Sequence, residues 1–208
     1  MRGSFDRELQ RLETEIIRMG SEVEEHLTQV TAAFVERDQV TAGRMIAADQ
    51  AINERRIQVG LDALTLIATQ QPMARDLRLI AAIMEIVGEL ERIHDYVKGI
   101  GKISLNLGPK PVLPTIAAHM PEMAETAREM LHLSLKAFAE RDKELALRVP
   151  AMDDKVDFLF NHLYGDVVAY VMEHPLETTH ANYLEWALHN LERSADRTIN
   201  ICEWVVYM

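Results

Sequence analysis

Apolar residues recur along this chain at intervals of three and four, the spacing of one buried helical face. Starting from Phe5, the positions Leu9, Leu12, Ile16, Met19, Val23, Leu27 and Val30 keep that rhythm, and no stretch alternates with period two for long. The spacing predicts six long helices, over residues 5–37, 39–70, 72–105, 120–141, 142–174 and 176–208. A helix of about 30 residues is about 45 Å long at ~1.5 Å per residue. Rods of that length bury their stripes only against one another, so the expected fold is all-α. Pro72 is expected in the first turn of the third helix, where its missing N–H would be unpaired anyway. Pro175 marks the matching join in the second half. Between 106 and 115, Gly108 with Pro109, Pro111 and Pro114 interrupts the helical pattern.

The pattern also repeats. Residues 33–53 read AFVERDQVTAGRMIAADQAIN and residues 137–157 read AFAERDKELALRVPAMDDKVD; nine of the 21 positions agree at a constant offset of 104. At an offset of 101, Leu90-Glu91-Arg92-Ile93-His94-Asp95 matches Leu191-Glu192-Arg193-Ser194-Ala195-Asp196. A unit of about 100 residues is too long for the common solenoid repeats. The expectation is two tandem antiparallel three-helix bundles, residues 1–107 and 116–208, related by a pseudo-twofold and joined by a Pro-rich linker at 108–115. Pro150 stands where the first copy has Ile46, so the fifth helix should kink there.

Composition narrows the function. In 208 residues there are 22 Lys and Arg against 33 Asp and Glu, a formal charge of −11. A field of that sign repels nucleic acid and anionic membranes and suits cations or a basic protein surface. The single cysteine, Cys202, forms no internal disulfide, which fits a reducing compartment. Residues 1–11 lack the apolar run of a secretory signal, and the longest apolar stretches, such as 167–172, are too short to span a bilayer. A cytoplasmic protein without membrane insertion is expected.

Candidate chemistry lies in the doubled Glu-Arg-x-x-Asp. Glu91 with Asp95, and Glu192 with Asp196, are i, i+4 pairs, so each pair shares one helix face. Like charges one turn apart cost roughly 0.2–0.5 kcal/mol in an isolated helix. Arg92 and Arg193 could compensate, or a bound cation could. The pairs flank the core stripe, and Gly88 and Gly99 bracket the first one, leaving room for an ion or a close backbone. Asp49 with Asn53, and Asp153 with Asp157, add acids at matching places on the second and fifth helices. Carboxylate oxygens without thiolates select Mg²⁺, Ca²⁺, Mn²⁺ or iron; the plainer alternative is that Asp49 and Asp153 are ordinary surface acids or partners for nearby arginines. Glu91-x-x-His94 is the element of di-iron bundles, but Ala195 stands where the second His is needed, so an iron-storage protein or carboxylate-bridged metalloenzyme fails on count. His94 then reads as a half-buried packing residue. Trp186, Trp204 and Tyr207 read as packing or docking, and Cys202 has no histidine base nearby in sequence. No phosphate-binding glycine loop, nucleophile elbow or His-Glu-x-x-His is present, and no catalytic constellation emerges.

These motifs carry a resemblance. The two Glu-Arg-x-x-Asp copies, Asn200-Ile201-Cys202-Glu203 after the second, Gln71-Pro72 with Asp76-Leu77-Arg78, and the Arg-Asp turns at 37–38 and 141–142 together resemble the PhoU family over almost the whole chain. The resemblance implies two tandem three-helix bundles and a regulator without turnover. Such a protein restrains the phosphate-starvation (Pho) response when phosphate is plentiful. It does so by joining a phosphate ABC transporter, through its PstB-type ATPase subunit, to a PhoR-type sensor histidine kinase. It further implies a homodimer and metal ions (iron, zinc, manganese or magnesium) at Glu91, Asp95, Glu192 and Asp196, with Asp49 and Asp153 as additional ligands. His94 and Ala195 replace the family's usual Gly, and Ser194 its usual Ile.

Overall fold

The computed structural model describes residues 2–108 and 110–208, so Met1 and the linker's Pro109 lie outside the described residues. The described residues form seven α-helices: α1 (Arg2–Glu36), α2 (Gln39–Gln70), α3 (Arg75–Leu107), α4 (Pro114–Glu140), α5 (Lys143–Arg148), α6 (Asp153–Glu173) and α7 (Thr178–Tyr207), with 3₁₀ turns at Val149–Met152 and Pro175–Glu177. The whole predicted stripe of α1, from Phe5 through Val30, is buried. The expected fifth helix is the pair α5 and α6, broken by the 3₁₀ turn that contains Pro150. The pyrrolidine ring removes a helical N–H and crowds the preceding turn, which is the cause of the break.

Three boundaries differ from the sequence expectation. α3 begins at Arg75, because Gln71 (φ 48°) and Ala74 (φ 45°) adopt positive φ and hold Pro72 in a loop ahead of the helix. α4 begins at Pro114, six residues before the expected start, with Pro114 in its first turn and Pro121 inside it. Pro175 occupies the 3₁₀ turn, and α7 starts at Thr178.

The two Arg-Asp turns do the same work in each half. Arg37 (φ 64°) and Arg141 (φ 54°) end α1 and α4 in the left-handed region. The amides of Asp38 and Asp142 then donate back to the carbonyls of Ala33 and Ala137, 2.9 Å each, closing the C-terminal turn. The same aspartates cap the next helix: Asp38 Oδ1 accepts from the amides of Val40 and Thr41, and Asp142 Oδ1 from Leu145.

The halves join through two antiparallel seams, α1 on α4 and α3 on α7, while α2 and the α5–α6 rod lie outside on opposite flanks. One buried cluster runs through both halves. Along the first seam Arg141 reaches Glu13 (2.7 Å) and His132 reaches Glu24 (3.3 Å). Gly20 lets α4 come close, since a Cβ there would strike Leu135. Along the second seam Asn200 donates to Glu89 (3.1 Å), and Arg197 lies 3.6 Å from the same carboxylate. The reciprocal pairing gives the pseudo-twofold. No described helix is long and apolar enough to cross a membrane.

Candidate functional site: two acidic motifs

Each half presents its acids where its outer helix meets its seam helix. In the first half, α2 supplies Asp49 and Asn53, and α3 supplies Glu91, His94, Asp95 and Lys98. Asp49 is no surface acid: it is 7% exposed, the only acid among the described residues that is buried. Lys98 Nζ donates to Asp49 Oδ2 at 2.6 Å and lies 3.5 Å from Asp95 Oδ1. Asn53 adds an amide donor to Asp49 Oδ2 at 3.2 Å. Burial pushes the Asp49 carboxyl up, but hydrogen bonds from Lys98 and His94 outweigh it and hold the group below the usual aspartate value.

His94 is fully buried, against the expectation of a half-buried packing residue. Its Nδ1 faces Asp49 Oδ1 at 3.4 Å, and its Nε2 faces His26 Nδ1 at 3.0 Å. Burial drives both imidazoles below their ordinary pKa, so both are neutral. The bonding pattern then assigns tautomers: His94 donates Nδ1–H to Asp49 and accepts at Nε2 from His26 Nδ1–H. With both nitrogens committed, His94 has no lone pair left for an ion. The carboxyl of Glu91 is pushed up by burial and by Asp95, and is joined by no partner in this chain of bonds.

In the second half, α6 supplies Asp153 and Asp157, and α7 supplies Glu192, Ala195 and Asp196. Here no ammonium enters. Asp153 Oδ1 and Glu192 Oε2 are buried without a hydrogen-bond partner. Burial, with the charges of Asp157, Asp196 and Glu192, pushes Asp153 up to about 6. Glu192 is pushed up by burial and by Asp196. Arg193 Nη1 donates to Asp196 Oδ2 at 2.8 Å, His189 Nε2 lies 4.0 Å from Glu192 Oε2, and Lys155 lies 2.9 Å from Glu122; none of these cations acts on Asp153.

The structure thus brings Asp49 and Asp95 together on Lys98, and gathers Asp153, Asp157, Glu192 and Asp196. Of the two arginines that could compensate the pairs, Arg193 does so; in the first half Lys98 takes that role. Gly99 leaves room for no ion. A Cβ there would come within 2.8 Å of Asn190 Oδ1, so this glycine admits a side chain of α7. Lys98 and His26 escaped the sequence reading. Lys98 had a local signal, three residues after Asp95 on the same face; His26, 68 residues from His94, had none. As the side chains stand, no group of three or more His, Cys, Asp or Glu among the described residues is placed to hold a metal ion. The chemistry of the donors separates the halves further. The first is satisfied by its own ammonium, while in the second Asp153 Oδ1 and Glu192 Oε2 have no hydrogen-bond partner. Cys202 is buried, which pushes its thiol up to about 12 and leaves it inert.

The chain as a whole is similar to known proteins. The family described as "PhoU domain" matches residues 16–104 and 120–205. A "Phosphate-specific transport system accessory protein PhoU homolog" of Xylella fastidiosa (strain 9a5c) is 33% identical over 205 residues, covering 99% of this chain and 86% of that protein. The "Phosphate-specific transport system accessory protein PhoU" of Edwardsiella tarda is 31% identical over 205 residues, 99% of this chain and 84% of its own length. The crystal structure of PhoU from Pseudomonas aeruginosa superposes with a TM-score of 0.92 at 30% identity, covering 98% of this chain and 97% of that one. The phosphate transport system regulatory protein PhoU from Streptococcus pneumoniae superposes at 0.89 with 28% identity, covering 98% and 95%.

Proposed function

The chain belongs to the PhoU family, and on that footing we propose that it is an accessory regulator of phosphate transport that lowers the phosphate-starvation response when phosphate is plentiful. Family membership makes it a regulatory protein and not an enzyme. The observation that carries the reading is correspondence over nearly the whole chain with proteins named as phosphate-specific transport system accessory proteins. A protein that regulates without turnover acts by differential binding: it shifts an equilibrium only as far as it prefers one partner state to another. The partners of this reading are a PhoR-type sensor histidine kinase and the PstB-type ATPase of a phosphate ABC transporter, met in the cytoplasm by a homodimer. A net charge of −11 favours basic surfaces on those partners.

Metal binding forms part of the proposal. The unpartnered oxygens of Asp153 and Glu192, with Asp157 and Asp196 beside them, support an ion in the second half. Iron, zinc, manganese and magnesium remain the candidates, and the all-oxygen donor set favours the harder of them. The ion would neutralise the cluster and hold α6 to α7. The alternative of a carboxylate-bridged metalloenzyme loses its one histidine, because both nitrogens of His94 are committed to Asp49 and His26.

Deletion of the gene tests the role. Cells lacking the protein should express alkaline phosphatase in phosphate-rich medium, and the intact gene should restore repression. Normal repression in the deletion strain would contradict the proposal. For the partners, the purified protein should retain the kinase and the ATPase in separate binding assays and sediment as a dimer; retention of neither would remove the adaptor reading.

A further inference from the structure

We propose that Lys98 is the built-in cation of the first acidic motif, so that this chain takes a divalent ion in its second half only, although duplication gave it two matching motifs. The proposal rests on the metal reading above for the second half and on side-chain geometry alone for the first. Carboxylates from two neighbouring helices, Asp49 on α2 and Asp95 on α3, converge on one ammonium at 2.6 and 3.5 Å. That is the work a bridging ion would do: a positive charge tying the outer helix to the seam helix through oxygens. His94 completes the arrangement by taking the second oxygen of Asp49 at 3.4 Å. An incoming ion would have to expel Lys98 from a carboxylate that is 7% exposed, and would find neither nitrogen of His94 free.

The second half has lost both devices. At the 101-residue offset, Ala195 stands for His94 and Ile199 for Lys98. The cations that α7 does carry go to other carboxylates, Arg193 to Asp196 at 2.8 Å and His189 to within 4.0 Å of Glu192, and Asp153 Oδ1 and Glu192 Oε2 stay buried without a hydrogen-bond partner. The two copies solve one electrostatic problem differently. One carries its cation covalently, at all times. The other depends on an ion from solution and can respond to its concentration.

The test counts Mn²⁺ bound to chelator-stripped full-length protein, by calorimetry and by the EPR signal of free Mn²⁺. The wild type should bind one ion. The pair Glu192→Gln and Asp196→Asn should bind none. Lys98→Met should bind two, with Lys98→Gln as a second variant that keeps a polar group in place; circular dichroism confirms that each variant is folded. Two ions on the wild type, or one ion on folded Lys98→Met and Lys98→Gln alike, would overturn the proposal. No ion on the wild type but one on Lys98→Met would refute the second-half metal reading while upholding Lys98 as the excluding group. No ion on any variant would end both. Reductive methylation gives a readout independent of Mn²⁺ binding: Lys98 should react at least about tenfold more slowly than the solvent-facing Lys143, with or without Mn²⁺. Equal rates would also overturn the assignment.

Discussion

Asp49 and Asp153 occupy the same point of a duplicated sequence and meet opposite electrostatic fates. Both sit on an outer helix facing a seam helix that bears a Glu-Arg-x-x-Asp pair. Asp49 is held below its ordinary pKa, although burial alone would raise it, and Asp153 is pushed up to about 6. The backbones differ locally, since Asp49 lies inside unbroken α2 and Asp153 opens α6 after the 3₁₀ turn, but the charge difference lies in the side chains around them. His94 and Lys98 supply donors in one half, and Ala195 and Ile199 supply none in the other. Burial sets the penalty for a carboxylate in both places, and the neighbouring charge decides whether that penalty is met.

The largest expected effect comes from removing the first half's counter-ion. In EDTA, Lys98→Met should destabilise the protein by about 2 kcal/mol in urea unfolding. That is below the roughly 3–5 kcal/mol of fully buried pairs, because Lys98 keeps 27% of its side-chain surface in water. A loss under 0.5 kcal/mol would show that Asp49 has other support.

Next comes the second half, with opposite sign. Asp153→Asn should stabilise the metal-free protein at pH 7. Displacement of the carboxyl from 3.8 to about 6 corresponds to roughly 3 kcal/mol at full burial, and about 1–2 kcal/mol for a group that retains water. Because the folded-state pKa is raised, the penalty is full above about pH 6 and absent below about 3.8. The gap between Asp153→Asn and wild type should therefore close as pH falls from 7 to 4. Asp49 behaves in reverse: its stabilisation is full above 3.8 and is lost only as pH falls through its lower folded value. His26 and His94, held low by burial, also cost stability on acidification, so the difference curve isolates Asp153 where the wild-type curve would not.

Installing the first half's solution in the second should erase the contrast. Ile199→Lys should stabilise the chelated protein by about 1 kcal/mol if its ammonium reaches Asp153, offset in part by lost packing of Ile199. It should also abolish Mn²⁺ binding; retained binding would show that position 199 is not the discriminator. The smallest effect belongs to Arg193→Gln. Its i, i+3 pair with Asp196 is partly solvated, and such pairs contribute about 0.5 kcal/mol or less. Thermal unfolding in low and high salt checks this.

Much of the fold could be read from spacing. The stripe from Phe5 to Val30 is buried as its period requires, and Pro150 interrupts its helix with a 3₁₀ turn, the outcome that a missing N–H and a crowded preceding turn favour, whereas α4 continues through Pro121. Boundaries at Pro72 and Pro114 were misplaced because a proline permits a helix start without fixing it. Positive φ at Gln71 and Ala74 delays α3, and Pro114 starts α4 early. The acidic motifs were visible because charge repeats at a fixed offset. Their difference was not, because the burial of Asp49 and the reach of Lys98 from α3 to α2 exist only once the helices pack. His26 illustrates the limit: nothing local marks it as the second partner of a buried histidine.

The most direct test of the contrast is an anomalous difference map from crystals grown with Mn²⁺. A peak should appear among Asp153, Glu192 and Asp196, and none between Asp49 and Asp95, where Lys98 Nζ should remain. A peak between Asp49 and Asp95, with Lys98 turned away, would contradict the contrast.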